Sequence, residues 1–535
     1  MSQTASPTAE AAAEAVAWTP SVNPWLIALA VMLATFLEVL DTSVANVALP
    51  QMAGTMSSSL DEATWVLTSY LVANAIVLPM TGWLSGRFGR KRFLIVSTAL
   101  FTLASAACGM ANSMSFLVSA RILQGAAGGA LIPLSQAILM ESFPPNKRGM
   151  AMAVYGLGVI VAPILGPVLG GWLTDNYSWR WMFYINVPFG ALAILLVNAF
   201  VEDPPYLREE GKRSGGKIDF IGFGAMAIGL AALQIFLDRG QTEDWFNSPW
   251  ICWGAAISFV SLAFFIFWEL RFTDHPIVDL RVFCDRNFAV STLLITVTGF
   301  MIYCTISLLP MFLQGLMNYT ALNSGLAMSP RGIGSVVAVI VVGILADRVS
   351  PRLLTNVGWL FMIYACWELG NITLDITIDS VVWPNIFTGV AMAFLFVPLT
   401  TISVGSLPRE QMGNASGVFN LARNIGGSIG ISLTTTWVAR GAQAHQALMV
   451  GHLTPYDPVF QQKLQAAVGM LSRHGSPVIA QRQAYEMLYG GVLQQSTLFA
   501  FVDTFRLLAF LSLLCVPVVF LLKNVKPSGR AVAMH

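Results

Sequence analysis

Apolar residues form long runs along this chain, and short links rich in Gly and Pro separate them. A helix of about 20 mostly apolar residues can cross a bilayer, because it satisfies its own backbone hydrogen bonds there. The pattern predicts fourteen transmembrane helices, near residues 25–50, 62–83, 93–112, 115–140, 149–172, 183–201, 219–237, 250–270, 288–313, 325–346, 353–370, 381–402, 413–439 and 501–522.

One polar segment, residues 441–500, interrupts this pattern and is rich in Gln. Within it, residues recur at helical spacing, strongly at Phe460, Leu464, Val468 and Leu471 and more weakly at Ile479, Gln483 and Met487. We therefore expect one or two amphipathic helices outside the membrane. Their apolar side has two interpretations: it rests on the membrane or on the protein itself, or it docks a partner.

Composition supports a membrane protein, since 56% of the residues are hydrophobic and 11% are charged, whereas soluble domains carry about 25% charged residues. Lys and Arg concentrate in alternate links, beginning with RFGRKR at 87–92 and NKR at 146–148. Basic links face the cytoplasm, so both termini are predicted to be cytoplasmic. The net charge of +1 argues against a nucleic-acid partner.

An internal repeat divides the chain. GWLSGRFGRKR from Gly82 resembles GILADRVSPRL from Gly343, and each stands at the cytoplasmic end of a predicted span. Residues 1–23 lack the basic region of a signal peptide, so we expect a disordered cytoplasmic tail there. The repeat predicts a six-helix bundle at 24–201, a cytoplasmic linker with two extra helices at 202–287, a second six-helix bundle at 288–524 that includes 441–500, and a cytoplasmic tail at 525–535.

Ionisable residues inside the predicted spans are candidates for function, because lipid disfavours their charge. Glu38 and Asp41 are three residues apart and share one face of the first helix. They must be protonated or paired, which suits reversible protonation; a simple internal hydrogen bond is the alternative for either. Arg121 costs about 3 kcal/mol or more to insert, so it faces the bundle interior unless it snorkels. Arg423, in the thirteenth span, is expected to serve structure or coupling.

The fifth predicted span concentrates Gly and Pro in GVIVAPILGPVLGGW. Prolines remove backbone donors and bend a helix, while glycines permit close packing at the bend. The motif residues are Pro163, Gly166, Pro167, Gly170 and Gly171.

Together these features resemble the major facilitator superfamily and, within it, the fourteen-helix DHA2 drug:proton antiporters of the EmrB/QacA type. The likeness covers most of the chain. Besides the arginine helix LVSARILQGAAGGA and the Gly-Pro helix, it includes LDTSVANVALP, TWVLTSYLVANAI, WRWMFYINVPFG, LDRGQTEDWFNS, PIVDLRVF and PLTTISVGSLP. The resemblance implies an all-α major facilitator fold in the inner membrane. It also implies proton-coupled export of hydrophobic drugs by two rocking halves.

The resemblance further implies roles for single residues. Asp41 would titrate, Arg121 would couple protonation to helix movement, and the Gly-Pro segment would form a tightly packed seal. This sequence has Gly86 where the family often has Asp, so the usual latch on the first half is not expected. Glu38 is not general in the family, and its place in proton coupling is inferred from the residue itself. The gate motif comprises Gly82, Arg87, Gly89, Arg90, Asp347 and Arg348.

A large apolar cavity between the halves is expected to hold small lipophilic substrates. Packing is the alternative role for each aromatic candidate. The candidate lining residues are Asn74, Gln136, Tyr155, Tyr303, Phe312, Gln314 and Tyr364.

The resemblance also implies macromolecular partners. They are a periplasmic membrane-fusion adaptor of the EmrA-like kind and an outer-membrane channel, which together with this chain would form a tripartite pump. Residues 441–500 are the expected docking element.

The proton is the expected coupling ion, by exclusion. The sequence contains no GxxxxGK[ST] phosphate loop, no metal-ligand cluster, no nucleophile triad and no CxxC pair. It therefore predicts a secondary transporter rather than an enzyme, without a cofactor. Two alternatives stay open: an exporter dedicated to one metabolite, such as a fatty acid or siderophore, and a membrane sensor or scaffold that transports nothing.

Overall fold

The computed structural model describes residues 20–45, 48–144, 147–204, 219–273, 276–346, 348–405, 407, 411–472 and 477–523. Within these ranges the chain is helical and contains no strand. Most of the predicted N-terminal tail, the whole C-terminal tail and part of the predicted linker lie outside them.

The helices in these ranges follow one another through short connections. A tight turn at Leu78–Met80 joins α3 to α4, and a π-helix at Met311–Leu316 extends α13. The bounds are α1 Pro24–Ala45, α2 Leu49–Thr55, α3 Leu60–Val77, α4 Thr81–Phe88, α5 Arg90–Gly109, α6 Met114–Gly128, α7 Leu131–Ser142, α8 Arg148–Asn176, α9 Trp181–Tyr184, α10 Asn186–Phe200, α11 Phe220–Arg239, α12 Pro249–Arg271, α13 Arg286–Pro310, α14 Ala321–Met328, α15 Pro330–Leu345, α16 Pro351–Leu369, α17 Ile378–Gly405, α18 Met412–His452, α19 Pro458–Leu471 and α20 Pro477–Val519.

In the described residues, 12 helical stretches are long and apolar enough to cross a membrane, and they coincide with twelve of the predicted spans. This confirms a multi-pass membrane protein. Helices also occupy the other two predicted spans, 353–370 and 413–439: they are α16 and the first part of α18, which fall short of the same apolar content. The count of fourteen and the cytoplasmic termini stay predictions.

The helices pack as two bundles. In the first, α1 packs on α8 and α3 packs on α6; in the second, α13 packs on α18 and α15 packs on α17. Helices α11 and α12 pack on each other and lie between the bundles in sequence. Following the predicted orientation, we call the end that carries Arg90 and Lys147 cytoplasmic and the opposite end outer.

Glycines allow the helices of each bundle to approach closely, as expected in lipid. A side chain on Gly125 of α6 would collide with the backbone of Tyr70 on α3. Gly426 of α18 lies in the same way against the backbone of Thr296 on α13. Both glycines therefore fix the spacing of a central helix pair.

The predicted outer loop, 441–500, is mostly helical. Helices α18 and α20 contain 41 and 43 residues, so each is about 60 Å long and exceeds the roughly 30 Å hydrocarbon core. No proline interrupts either helix where its apolar run ends, so both continue beyond the membrane. Helix α19 packs on α20, with Leu464 buried and the rings of Phe460 and Tyr485 6.4 Å apart. The part of the predicted stripe at Phe460 and Leu464 thus packs on the protein itself, whereas Ile479 and Met487 are exposed.

Candidate functional site

Asp41 and Arg121 form a buried ion pair inside the first bundle. Asp41 lies on α1 and Arg121 on α6, and Asp41 Oδ2 is 2.5 Å from Arg121 Nη1. The side chains are 1% and 0% exposed, respectively. Arg121 therefore points into the bundle and does not snorkel to the membrane surface.

Two amides complete the hydrogen bonding of the Asp41 carboxylate. Gln124 Nε2 and Asn186 Nδ2 donate to Asp41 Oδ1 at 2.8 and 2.7 Å. Gln124 follows Arg121 by three residues, so one face of α6 supplies both groups. Asn186 begins α10 and also donates to Ser105 Oγ at 3.0 Å. Sequence reasoning missed Asn186, whose signal was a single amide in the mostly apolar run FYINVPF.

Carbonyl and aromatic groups hold the guanidinium of Arg121. Its Nε donates to the Val66 carbonyl at 3.0 Å, and Nη1 also donates to Gln124 Oε1 at 2.8 Å. The guanidinium carbon lies 4.2 Å from the centroid of the Tyr70 ring, a cation–π contact. Nη2 has no hydrogen-bond partner within the described part of the chain. The pocket is thus built to keep a cation in place.

The buried pair makes the charge on each partner depend on the charge on the other. Removing one charge of a buried ion pair leaves the other uncompensated, at a cost of about 3–5 kcal/mol. A proton on Asp41 would therefore leave Arg121 as an unpaired buried cation.

The Gly-Pro motif lies beside Asp41, where α1 packs on α8. Ser43 Oγ donates to the Pro163 carbonyl at 3.1 Å, and a side chain on Gly166 would collide with Ser43. Gly170 also lies close to α1, since a side chain there would begin 3.2 Å from Val44. Helix α8 continues without a break through Pro163, Gly166, Pro167, Gly170 and Gly171.

Glu38 belongs to a second polar site, which crosses between the bundles. Glu38 Oε1 accepts a hydrogen bond from Asn74 Nδ2 at 2.9 Å, and Asn74 Oδ1 accepts one from Asn424 Nδ2 of α18 at 3.4 Å. Glu38 is only 5% exposed, yet its Oε2 has no hydrogen-bond partner among the described residues. Arg423, next to Asn424, lies 5.7 Å from the Phe396 ring centroid. Glu38 is therefore connected to both halves.

Hydrogen bonds between uncharged side chains join the cytoplasmic ends of the two bundles. Gln136 Oε1 of α7 accepts from Ser416 Oγ at 2.8 Å and from Asn420 Nδ2 at 2.6 Å, both on α18. Gly82 of α4 lies against the backbone of Asn414, where a side chain would come within 2.5 Å. This contact between the halves therefore forms without the Asp that Gly86 replaces.

The basic gate motif is anchored within the first bundle. Arg90 forms a buried ion pair with Glu141 of α7. Gly89 has a φ of 84° and lies against the Asp203 carboxylate, so both its conformation and its surroundings favour glycine. The other gate residues are Arg87, 5.8 Å from the Trp83 ring centroid, Arg348, which is exposed, and Asp347, which lies outside the described residues.

Comparison with known proteins decides the family. The family model for the Major Facilitator Superfamily matches residues 31–431. The chain belongs to the major facilitator superfamily. It is therefore a secondary transporter rather than an enzyme, and with its apolar spans it is a multi-pass protein of the inner membrane.

Relatives within the major facilitator superfamily place the chain in its EmrB branch. The multidrug export protein EmrB of Haemophilus influenzae is 41% identical over 82% of this chain and 84% of its own. The fatty acid resistance protein FarB of Neisseria gonorrhoeae is 37% identical over 94% of this chain and 97% of its own. The solved proton:xylose symporter XylE covers 92% of this chain and 96% of its own with a TM-score of 0.58 and 15% identity, which supports the fold alone.

The candidate cavity residues occupy different places in this major facilitator fold. Asn74 and Gln136 lie where the halves meet, as described above. Tyr155 is buried, and its hydroxyl donates to the Ile132 carbonyl at 3.3 Å. Phe312 is buried against α20. The others are exposed at least in part: Tyr303, Gln314 and Tyr364.

Proposed function

We propose that this protein is a proton-coupled antiporter that exports hydrophobic drugs and other xenobiotics by alternating access. One observation carries the proposal: a fully buried Asp41–Arg121 pair inside a bundle of a major facilitator protein. Asp41 is the proton acceptor of the pair. In the arrangement of the helices described above, Arg121 balances the charge of the ionised Asp41. The multidrug export relative supports drugs as the substrate class.

The proton gradient is sufficient for this work. One proton moving down 100 mV releases about 2.3 kcal/mol. That free energy supports roughly a fiftyfold substrate gradient for each proton exchanged.

Purified protein in lipid vesicles tests the proposal. We expect a lipophilic dye to move against its gradient only when a pH gradient is imposed. Asp41→Asn and Arg121→Ala should abolish this movement, because each removes one partner of the buried pair. Glu486→Gln is the matched control, since its ion pair with Arg482 is exposed. Gradient-driven transport by Asp41→Asn at the rate of the unmodified protein would contradict the proposal.

A tripartite assembly is the second part of the proposal. The outer parts of α18 and α20, with α19, form a helical protrusion that exposes Tyr456, Val478 and Ile479 to water. Such a surface suits an EmrA-like periplasmic adaptor, which would connect this protein to an outer-membrane channel.

Shortening the protrusion separates transport from assembly. A side chain on Gly441 would begin 3.2 Å from Ala500 Cβ, so a short Gly/Ser linker can join the two helices there. We expect this variant to transport dye in vesicles but to lose drug resistance in cells. Full resistance in cells at equal expression would count against an adaptor.

A dedicated exporter of one fatty acid is the second candidate function, because a relative of similar length is named for fatty acid resistance. A panel of dyes, drugs and fatty acids in the same vesicles distinguishes the two. Transport of fatty acids alone would replace the multidrug proposal and leave the proton mechanism in place.

A further inference from the structure

Helix α11, the first of the two extra helices, lies between the two halves at their outer ends. Nearer the cytoplasm, the halves touch directly along one seam. Gly82 lies on Asn414, Gly417 lies on the Leu78 carbonyl, and Asn74 bonds to Asn424. From the cytoplasmic end outward, these three contacts run along α4 and α3 in the first half and along α18 in the second half.

Beyond Asn74, side chains of α3 meet α11. The hydroxyl of Thr68 donates to the Asp238 carboxylate. The guanidinium carbon of Arg239 lies 4.9 Å from the ring centroid of Trp65. Thr68 and Trp65 are farther out than Asn74, because α3 runs from the outer end inward.

Beyond Asn424, side chains of α18 also meet α11 or the turn that follows it. Ser428 Oγ donates to Gln234 Oε1 at 3.0 Å, and Trp245 Nε1 donates to Thr436 Oγ1 at 3.1 Å. Ser428 and Thr436 are eight residues apart, so these bonds cover about 12 Å of α18. The same helix end thus bonds to both halves.

The turn after α11 is built to hold Trp245 in this position. Asp244 and Trp245 have φ values of 55° and 54°, which residues other than glycine rarely adopt. The backbone N–H of Trp245 donates to the Gly240 carbonyl at 2.6 Å, and its ring packs on Phe236 with centroids 5.3 Å apart. Residues keep such unfavourable backbone angles only where the surrounding contacts hold them in place, so the contacts of Trp245 stabilise this turn.

We propose that the outer third of α11 is a wedge that keeps α3 and α18 apart and so stabilises the arrangement with closed cytoplasmic ends. Opening the cytoplasmic side requires the outer ends of α3 and α18 to approach each other. The wedge must then slide out, and its bonds to one half must break. This role rests on the alternating access of the proposed function and gives the extra helix pair a part in it.

Distances between spin labels test the wedge without substrate or proton gradient. Lys147→Cys and Arg348→Cys place labels at exposed cytoplasmic positions of the two halves, with Cys252 and Cys284 replaced by Ser. The double variant Gln234→Ala with Trp245→Phe removes both bonds to α18. In this variant, we expect the population of molecules with a long distance between the two cytoplasmic labels to rise roughly tenfold relative to the population with a short one.

Three further variants make the result decisive. Ser428→Ala removes the first bond from the other side and should shift the distances in the same direction, even if the double variant folds poorly. Ile228→Ala should leave the distances unchanged, because the Ile228 side chain on α11 is 56% exposed. Gln136→Ala opens the cytoplasmic contact directly and should also lengthen them.

The outcomes separate the two proposals. A shift with Gln136→Ala but none with the double variant or Ser428→Ala overturns the wedge and leaves alternating access in place. A shift toward shorter cytoplasmic distances in the wedge variants also overturns it. No shift with any variant overturns both.

Discussion

The Asp41 carboxylate receives hydrogen bonds from three side chains on two other helices: Arg121, Gln124 and Asn186. Hydrogen bonds to a charged group are worth about 1.5–3 kcal/mol each. These donors hold the ionised carboxylate in a buried site, and they fix the geometry in which Arg121 is neutralised. At the scale of residues, the site therefore depends on the pairing of one anion, Asp41, with one cation, Arg121.

Removing the two charges one at a time tests that balance. Asp41→Asn should lower the free energy of unfolding by about 3–5 kcal/mol, because it leaves Arg121 unpaired. Adding Arg121→Gln should restore much of this loss but not proton-driven transport. Denaturant unfolding of both variants measures the difference, and a double variant no more stable than Asp41→Asn would contradict the electrostatic explanation.

Much of this site was predictable from local pattern. Asp41 and Arg121 stand out because a charge interrupts an apolar run. Asn186 was not predictable, since its importance lies in a contact with Asp41 across 145 residues. The Glu141 partner of Arg90 escaped for the same reason: a sequence pattern shows which groups are costly to bury, but not which distant group neutralises them.

At the scale of elements, helix spacing depends on single glycines. Gly125→Ala should force α6 away from the Tyr70 backbone and destabilise the protein by about 1–3 kcal/mol. Gly254→Ala on α12 is the matched control, because its surroundings are open and alanine favours a helix. Thermal unfolding compares them. Equal stability of the two variants would show that α3 and α6 are free to separate.

Helix ends were less predictable than helix centres. Hydropathy falls near residues 439 and 501, where the chain leaves the membrane, but hydrogen bonding within α18 and α20 continues. The pattern also marked α11 as a span without indicating its neighbours. A helix that is apolar on most sides carries little information about where it packs.

At the scale of the whole molecule, the carboxylates of Glu38 and Asp41 lie one turn apart on α1 but contact different parts of the protein. Among the residues that the structure describes, the hydrogen-bond partners of Asp41 lie in the first bundle, whereas Glu38 reaches α18 through Asn74 and Asn424. We therefore expect Asp41 to bind the transported proton. We expect Glu38 to couple proton binding to the second half through its contacts with Asn74 and Asn424.

Glu38→Gln tests this division of roles. Glutamine keeps the hydrogen bond from Asn74 but cannot ionise, so dye binding should persist while the response of transport to a pH gradient falls by tenfold or more, roughly the effect of 1.4 kcal/mol. Dye binding and gradient-driven flux are measured on the same preparation. Glu368→Gln, at an exposed helix end, is the control. Unchanged flux in Glu38→Gln would restrict coupling to the first bundle.

Proton release on substrate binding tests the central claim most directly. Dye added to purified protein in weakly buffered detergent solution should release protons that a pH indicator records, because an antiporter exchanges one for the other at Asp41. Asp41→Asn should bind dye without this release, while Glu486→Gln, exposed in the segment outside the membrane, should behave as the unmodified protein does. Equal release from Asp41→Asn and the unmodified protein would contradict the account.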